Sequence, residues 1–246
     1  MQAIIMAAGK GSRLGELTEE MPKSFLEIRG IKLIEYNVAL LHAFDIKDIV
    51  IVTGYMTEKI EEWAADKGIT CVYNPFFEMT NVLGSFYMGQ EHLNQDVIYM
   101  HADTLAEPAI LEQMLKADGD IVLPVDHKKC DEEAMKVLLQ NNEIVQISKL
   151  IPCEKAAGEF IGIARINQNV LPALKRASKE VLKRKNYTAY FEAAIQELIN
   201  ERSYSMEILP TDQYFWAEID FAEDYARAKA EITEALLQVG RGEFGK

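Results

Sequence analysis

The stretch AIIMAAGKGSR, residues 3–13, decides the fold of the first half of the chain. Its apolar beginning, residues 3–7, predicts a buried β-strand, and the loop after it contains Gly9 and Gly11. Glycines let the backbone approach a ligand closely, and a loop leading from a strand into a helix offers free backbone N–H groups to an anion. Lys10 and Arg13 add positive charge. The stretch therefore predicts a strand followed by an anion-binding loop.

This loop differs from the two common phosphate-binding motifs. The dinucleotide fingerprint needs a third glycine, and here an arginine stands near its place. A P-loop needs Gly-Lys-Ser/Thr after four residues, which is also missing. On its own, a glycine-rich turn after a strand fits a tight turn without a ligand equally well.

Strands and helices alternate through residues 1–125. Strands are predicted at residues 3–7, 49–53, 70–74, 96–100 and 120–125, and helices at 33–44, 57–67 and 108–117. The strands are nearly continuous apolar runs, as in parallel sheets buried on both faces. This order predicts an α/β fold: a Rossmann-like, mostly parallel mixed sheet flanked by helices.

The pattern changes after residue 125 into a small C-terminal α+β elaboration. A hairpin turning at Asn141-Asn142 is predicted from strands at 136–139 and 144–148, followed by strands at 160–166 and 206–209, helices at 170–184, 190–202 and 221–238, and a frayed end at 240–246. We expect one domain, residues 1–246, with a first part at 1–125 and a second part at 126–246.

Composition limits the partners of the chain. The 246 residues are 49% hydrophobic and 26% charged, which is ordinary for a soluble globular protein with a sizeable core. The net charge of −13 argues against nucleic acid, which needs a positive face, although local lysines and a divalent metal can still bind a phosphate substrate. Apolar runs of about five residues are far short of the roughly 20 of a membrane span.

Targeting and redox features predict a cytoplasmic protein. The N-terminus lacks the basic leader and long apolar run of a signal peptide. Cys71, Cys130 and Cys153 are odd in number and widely spaced, which fits neither a disulfide framework nor a zinc site. We therefore expect three reduced thiols.

The segment Met21-Pro22-Lys23-Ser24 adds a second basic element, because a lysine held after a proline is a good point charge for a phosphate. Here the sequence resembles the nucleotidyltransferases that include sugar-1-phosphate nucleotidylyltransferases and bacterial phosphocholine cytidylyltransferases. Their signature is a strand, then A-A-G-x-G-x-R-L, then P-K about ten residues later, and this chain shows AAGKGSRL and PK in that order. The resemblance continues through residues 33–36, 52–55 and 216–220, so it covers most of the chain.

This resemblance implies a nucleotide site and a metal site. The implied nucleotide-binding residues are Ala7, Ala8, Gly9, Lys10, Gly11, Ser12, Arg13, Lys23, Asn81, Ser85 and Ala102. One aspartate after the central strand and a second in a W-x-E/D-I-D segment jointly hold the metal in the family. Asp103 and Asp220 match both positions, and carboxylate oxygens suit Mg²⁺. As an alternative, each aspartate fits a helix cap or a turn. The family often has glycine before the first aspartate, whereas this chain has His101-Ala102 there, and His101 also fits a packed structural histidine.

An acceptor site is implied for the second half. Lys149 resembles a family lysine that contacts the acceptor phosphate, and Glu159 lies in a GEFIG segment that resembles one of the cytidylyltransferase branch. Lys136 is a weaker candidate. Tyr190 and Trp216 are aromatic candidates, because an ammonium group binds aromatic faces and a carboxylate. Aromatic residues at such positions also fit a packed core.

The segment from Asn74 to Ser85 points to the nucleotide. Its N-P…N-x-x-S pattern resembles cytidylyltransferases acting on choline phosphate, inositol phosphate and aminoethylphosphonate, which favours CTP. We therefore expect Mg²⁺-dependent cytidylyl transfer from CTP to phosphocholine or 2-aminoethylphosphonate, with Arg13, Lys23 and Lys149 as catalytic residues. A sugar-1-phosphate nucleotidylyltransferase using UTP or dTTP, and a non-enzymatic nucleotide-binding regulatory module, remain as alternatives. A homodimer is compatible with the sequence.

Overall fold

The structure is a computed structural model that describes residues 1–244. Within these residues the strands are β1 (Gln2–Ala7), β2 (Glu27–Ile28), β3 (Ile31–Lys32), β4 (Asp48–Thr53), β5 (Thr70–Tyr73), β6 (Val97–His101), β7 (Thr104–Ala106), β8 (Ile121–Asp126), β9 (Lys136–Gln140), β10 (Glu143–Ser148), β11 (Gly158–Phe160), β12 (Ile163–Ile166), β13 (Met206–Pro210) and β14 (Trp216–Glu218). The α-helices are α1 (Leu33–Ala43), α2 (Thr57–Ala64), α3 (Val82–Gly89), α4 (Pro108–Lys116), α5 (Leu171–Lys183), α6 (Glu192–Glu201), α7 (Ala222–Glu231) and α8 (Glu234–Gly240).

A ten-stranded mixed sheet forms the centre of the molecule. Its strand order is β10-β9-β11-β8-β12-β6-β1-β4-β5, and β13 pairs with β8 outside this path. The neighbours β6, β1, β4 and β5 are parallel, whereas β12 runs antiparallel between β6 and β8. The predicted Rossmann-like mixed sheet with flanking helices is therefore confirmed.

The first strand lies between two hydrophobic layers. Ala3 and Ile5 join the core on the side of α1, α4 and α8, and Ile4 and Met6 join the core on the side of α3, α5 and α6. All six residues of β1 are buried. A strand covered on both faces needs apolar residues at every position, which explains the unbroken run at the start of the chain.

Two predicted elements were wrong in detail. The strand predicted at 160–166 breaks into β11 and β12 at Gly162, whose φ of 77° favours glycine. The helix predicted at 221–238 breaks into α7 and α8 at Ile232, which has an extended ψ of 128°. Helix α3 was not predicted. The predicted frayed end is packed where described, since the Phe244 and Phe44 rings lie 5.9 Å apart, and residues 245–246 lie outside the described residues.

Strand ends bring three distant segments to one place. Asp103 follows β6. The neighbouring strand β1 leads into the loop that contains Gly9 and Gly11, called the glycine loop below. Strand β14 pairs with β7, and the Ile219 backbone N–H donates to the Asp103 carbonyl at 3.1 Å. Asp220 therefore lies beside the carboxyl ends of the parallel strands, where open α/β sheets bind ligands. Among residues 1–244, no helix combines the length and apolarity needed to cross a membrane.

Candidate active site

A cleft of about 570 Å³ opens at the carboxyl ends of β1 and β6. The predicted site residues that line it are Ala8, Gly9, Arg13, Asn81, Ser85, Asp103, Lys149, Glu159, Tyr190, Trp216 and Asp220. The cleft thus brings residues from both halves of the chain together.

The glycine loop is fixed at its two ends. The Tyr55 backbone N–H donates to the Ala8 carbonyl at 3.0 Å, and the Thr18 hydroxyl donates to the Gly11 carbonyl at 3.0 Å. Gly11 has a φ of 67°, and a Cβ there would lie 3.0 Å from the Lys23 Cβ. The loop therefore packs closely against Lys23 at Gly11, and the close approach of a ligand to its glycines stays a prediction.

The remaining predicted loop residues occupy different places. Lys10 and Ser12 are exposed and Gly11 is partly exposed, and within residues 1–244 these three are not part of the cleft lining. Ala7 and Ala102 are buried beneath the loop, where the Ala102 backbone N–H donates to the Met6 carbonyl at 3.1 Å. These two alanines support the loop from below.

Lys23 joins the two predicted metal ligands. Its Nζ lies 2.5 Å from an Asp103 carboxylate oxygen and 2.5 Å from an Asp220 carboxylate oxygen. Arg13 contacts the other Asp220 oxygen at 3.2 Å and Glu133 at 3.6 Å. The structure therefore brings Arg13, Lys23, Asp103 and Asp220 into one cluster.

Opposite charges in this cluster outweigh the effect of burial on its pKa values. Burial would lower the pKa of Lys23, but Asp103 and Asp220 raise it above its ordinary value. Burial would raise the pKa of Asp103, but Lys23 and His101 hold it below its ordinary value. Both groups are therefore charged at neutral pH.

His101 anchors a second charged group at the floor of the cleft. Its Nδ1 lies 3.2 Å from a Glu218 carboxylate oxygen, and its Nε2 lies 2.8 Å from the Tyr99 hydroxyl. Burial would lower the pKa of His101, but the hydrogen bond and charge of Glu218, with the charges of Asp103 and Glu192, raise it to about 9. His101, Asp103 and Glu218 also offer ligand atoms within 4.8 Å of one another.

Asn74 organises the side of the cleft predicted to face the nucleotide base. This buried amide donates to the Thr80 hydroxyl at 3.2 Å and to the Ser85 hydroxyl at 3.0 Å. Asn81 lies at the N-terminal end of α3, and its side chain accepts from the Val82 backbone N–H at 2.8 Å. Asn81 and Ser85 therefore both line the cleft from one short helix.

Charged and aromatic groups alternate at the other end of the cleft. Lys149 lies 3.4 Å from Glu133, and its Nζ stands 4.9 Å from the centroid of the Tyr190 ring. Lys128 pairs with Glu159 at 2.8 Å, and its Nζ stands 4.3 Å from the centroid of the Trp216 ring. The predicted aromatic residues Tyr190 and Trp216 thus each contact a lysine. Of these two lysines, Lys149 was predicted and Lys128 was not.

Lys136 does not belong to this site. It is 1% exposed, and its Nζ donates to the backbone carbonyls of Asp131, Glu132 and Ala134 at 2.9–3.1 Å. A lysine ammonium has three donors, so all three are used. The predicted acceptor contact of Lys136 is therefore corrected to a structural contact that holds the loop before β9.

Sequence reasoning also missed two acidic residues of the cleft. Glu218 lies in the same W-A-E-I-D segment as Asp220, so its position was visible, but it was not singled out. Glu192 is 3% exposed, has an unpaired Oε2, and burial raises its pKa. Nothing local in the sequence marks Glu192 as a cleft residue, because its placement depends on the packing of α6.

Comparison with known proteins identifies the family. A model of the MobA-like NTP transferase domain matches residues 3–198, more than half of the chain. The chain belongs to this family. Family membership confirms the nucleotidyltransferase resemblance drawn from the glycine loop and the Pro-Lys segment.

Relatives of this family member include two cytidylyltransferases. The CTP:phosphoglutamine cytidylyltransferase of Campylobacter jejuni is 24% identical, over 91% of this chain and 97% of that protein. The choline-phosphate cytidylyltransferase of Haemophilus influenzae is 29% identical, over 95% of this chain and 98% of that protein. The solved CTP:phosphocholine cytidylyltransferase from Streptococcus pneumoniae shares the fold, with a TM-score of 0.78, 22% identity, and coverage of 94% of this chain and 99% of that one.

We predict that Lys136→Met lowers the free energy of unfolding by about 1–3 kcal/mol, because buried carbonyls lose their donors. Urea unfolding followed by circular dichroism measures the change. The exposed Lys155→Met is the matched control, expected to change stability by no more than about 0.5 kcal/mol. Equal stability of the two variants would contradict the structural role of Lys136.

We also predict that His101 makes stability depend on pH. Its pKa rises from an ordinary 6.5 to about 9 on folding, so its contribution is complete below pH 6.5 and is lost as the pH rises through 9. In EDTA, the free energy of unfolding should fall more between pH 6.5 and 9.5 for the unmodified protein than for His101→Gln. His127→Gln, at an exposed site, is the control. Parallel pH profiles for all three would contradict the prediction.

Proposed function

We propose that this protein transfers the cytidylyl group of CTP to the phosphate or phosphonate of a small acceptor that carries an ammonium group. Phosphocholine and 2-aminoethylphosphonate are the leading candidates. Pyrophosphate leaves, and Mg²⁺ is the metal. Residues 1–125 supply most of the nucleotide end of the cleft, and residues 126–246 supply most of the acceptor end.

The Lys23 cluster is the observation that carries this proposal. One ammonium bridges Asp103 and Asp220, and these two carboxylates line the same cleft as the glycine loop and Lys149. A reaction between two phosphates needs charge neutralisation at the point where they meet. In this proposal the two phosphates meet at the Lys23 cluster.

The residues present also fit a divalent metal. Because the Lys23 ammonium contacts both Asp103 and Asp220, these two carboxylates are close enough to share one cation. Glu218 adds a carboxylate oxygen near Asp103. Asp103 and Asp220 would hold Mg²⁺, which would supply positive charge to the phosphate oxygens of both substrates.

The protein's own groups would position and neutralise the reactants. The acceptor oxygen is already anionic, so it attacks the α-phosphorus in line without a general base, and pyrophosphate leaves. In this proposal the glycine loop and Arg13 hold the triphosphate, Lys23 neutralises the α-phosphate, and Lys149 steers the acceptor phosphate. Lys23 and Arg13 then contact phosphate oxygens in place of Asp220.

CTP is supported by the names of the relatives and by the base side of the cleft. Cytidylyltransferases of Campylobacter jejuni and Haemophilus influenzae match nearly the whole chain. Asn81 and Ser85 offer an amide and a hydroxyl, which suit the polar edge of cytosine.

The charge of the acceptor end favours an ammonium group. Its acidic lining residues outnumber its cationic ones; the acidic ones are Asp131, Glu133, Glu159, Glu192 and Glu218, and the cationic ones are Lys128, Lys149 and His101, whose raised pKa keeps it protonated at neutral pH. Aromatic rings of Tyr190 and Trp216 lie among them. Excess carboxylate beside aromatic faces is the environment that binds organic cations.

A pyrophosphate-release assay tests the proposed reaction. Each of CTP, UTP, dTTP and ATP is combined with phosphocholine, 2-aminoethylphosphonate, inositol 1-phosphate and glucose 1-phosphate, with and without Mg²⁺. We expect release with CTP and an ammonium-bearing acceptor, only when Mg²⁺ is present. Release with UTP or dTTP and a sugar phosphate, but not with CTP, would overturn the assignment. Nucleotide binding without release in any combination would favour a regulatory module.

We predict that Asp103→Asn lowers kcat by at least about 100-fold, because it removes one negative ligand from the metal and one partner from Lys23. Asp66→Asn, at an exposed site outside the cleft, is the matched control. Circular dichroism checks that both variants are folded. Near-normal turnover in folded Asp103→Asn would contradict the role assigned to the Lys23 cluster.

A further inference from the structure

Lys128 occupies a site that has the chemistry of an ammonium receptor. Its Nζ stands over the Trp216 ring, 2.8 Å from a Glu159 oxygen and 3.9 Å from an Asp126 oxygen. The Trp216 Nε1–H donates to the same Asp126 oxygen at 2.9 Å, so the ring and the carboxylate are fixed to each other. An aromatic face with two carboxylates at its edge binds any ammonium, including the protein's own.

The receptor and its occupant differ in how firmly they are held. Glu159 is mostly buried and lies in β11, opposite Asp126 of β8 in the strand register. Trp216 is the first residue of β14. Lys128 lies outside regular structure, two residues after β8, and its side chain is 42% exposed. A long, flexible, exposed lysine leaves such a site at low cost, whereas the strand residues stay in place.

The carboxylates need a cation whether or not a substrate is present. Burial raises the pKa of Glu159 despite the opposing charge of Lys128, so this carboxylate is poorly solvated. Glu218 and Asp131 also act on Glu159 with negative charge. Lys128 therefore neutralises a group that would otherwise be unfavourable in the free protein.

We propose that Lys128 is an internal competitor for the ammonium group of the acceptor, and that it leaves the Trp216–Glu159–Asp126 site when the acceptor enters. This inference rests on the proposed function for its substrate class. It makes Lys128 a residue that sets acceptor specificity: an acceptor must offer a cation that binds the site better than a tethered lysine does. Acceptors without a cation leave Lys128 where it is.

A binding experiment tests this without catalysis. In a Trp63→Phe background Trp216 is the remaining tryptophan, and its fluorescence is titrated with tetramethylammonium chloride, with sodium chloride as the ionic-strength control. We expect Lys128→Met to bind tetramethylammonium about fivefold more tightly, since removing a competing cation–π and ion-pair contact is worth about 1 kcal/mol. The matched control is Lys129→Met, which removes the same charge from the adjacent residue; Lys129 is exposed and, within residues 1–244, is not part of the cleft lining.

Three outcomes would overturn the proposal. Weaker tetramethylammonium binding in Lys128→Met would make Lys128 part of the receptor. Equal tightening in Lys128→Met and Lys129→Met would reduce the effect to net charge. Absence of saturable quenching in every variant would mean that Trp216 does not receive a cation.

Kinetics provide the second readout. For an ammonium-bearing acceptor, Lys128→Met should lower KM about fivefold with kcat nearly unchanged, whereas KM for inositol 1-phosphate should not change. A raised KM for the ammonium-bearing acceptor would overturn the proposal. If no acceptor supports pyrophosphate release, the proposed function fails while the fluorescence titration still decides the role of Lys128.

Discussion

The ion pairs of Lys23 with Asp103 and Asp220 are the interaction on which the site depends. They connect the segment after the glycine loop, the end of the central strand β6, and a position near the C-terminus. Two partly buried carboxylates so close together would repel each other without a cation between them. The pairing of β14 with β7 brings their backbones together, and the positive charge of Lys23 offsets the repulsion between the two carboxylates.

The parts of the fold that could be predicted are those with a local physical signal. Strand β1 is apolar from Ala3 to Ala7 because both of its faces are covered, and the hairpin of β9 and β10 turns at two asparagines that have positive φ. The break at Gly162 was not predicted, because it follows from a change of partners: β11 pairs with β8 and β9, whereas β12 pairs with β6 and β8. The presence of a glycine does not by itself predict a change of strand partners.

The residues of the site also differ in how well the sequence predicts them. Residues in a dense motif, such as Gly11 and Lys23, were recognisable because the motif fixes their spacing. Isolated lysines were less predictable. Lys149 lines the cleft, but the predicted Lys136 is enclosed by backbone carbonyls, and the overlooked Lys128 lies in the cleft instead. Lys128 lies within the irregular segment of residues 127–135, and Lys136 directly follows this segment as the first residue of β9. Which of them is buried depends on how that segment folds back on the sheet, and no local periodicity encodes this.

A common electrostatic arrangement links the two ends of the cleft. At the centre a lysine lies between Asp103 and Asp220, and at the acceptor end a lysine lies between Glu159 and Asp126. In both places carboxylates that would bind a cation of the reaction are neutralised by the chain itself. An acidic cleft must still admit an anionic nucleotide, and carboxylates already paired with lysines repel it less than free ones. In the proposed reaction a metal ion or an organic cation would replace the lysine, the carboxylates would remain neutralised, and the released ammonium would become available to phosphate oxygens. The same few charges can therefore stabilise the free protein and, after exchanging partners, the loaded site.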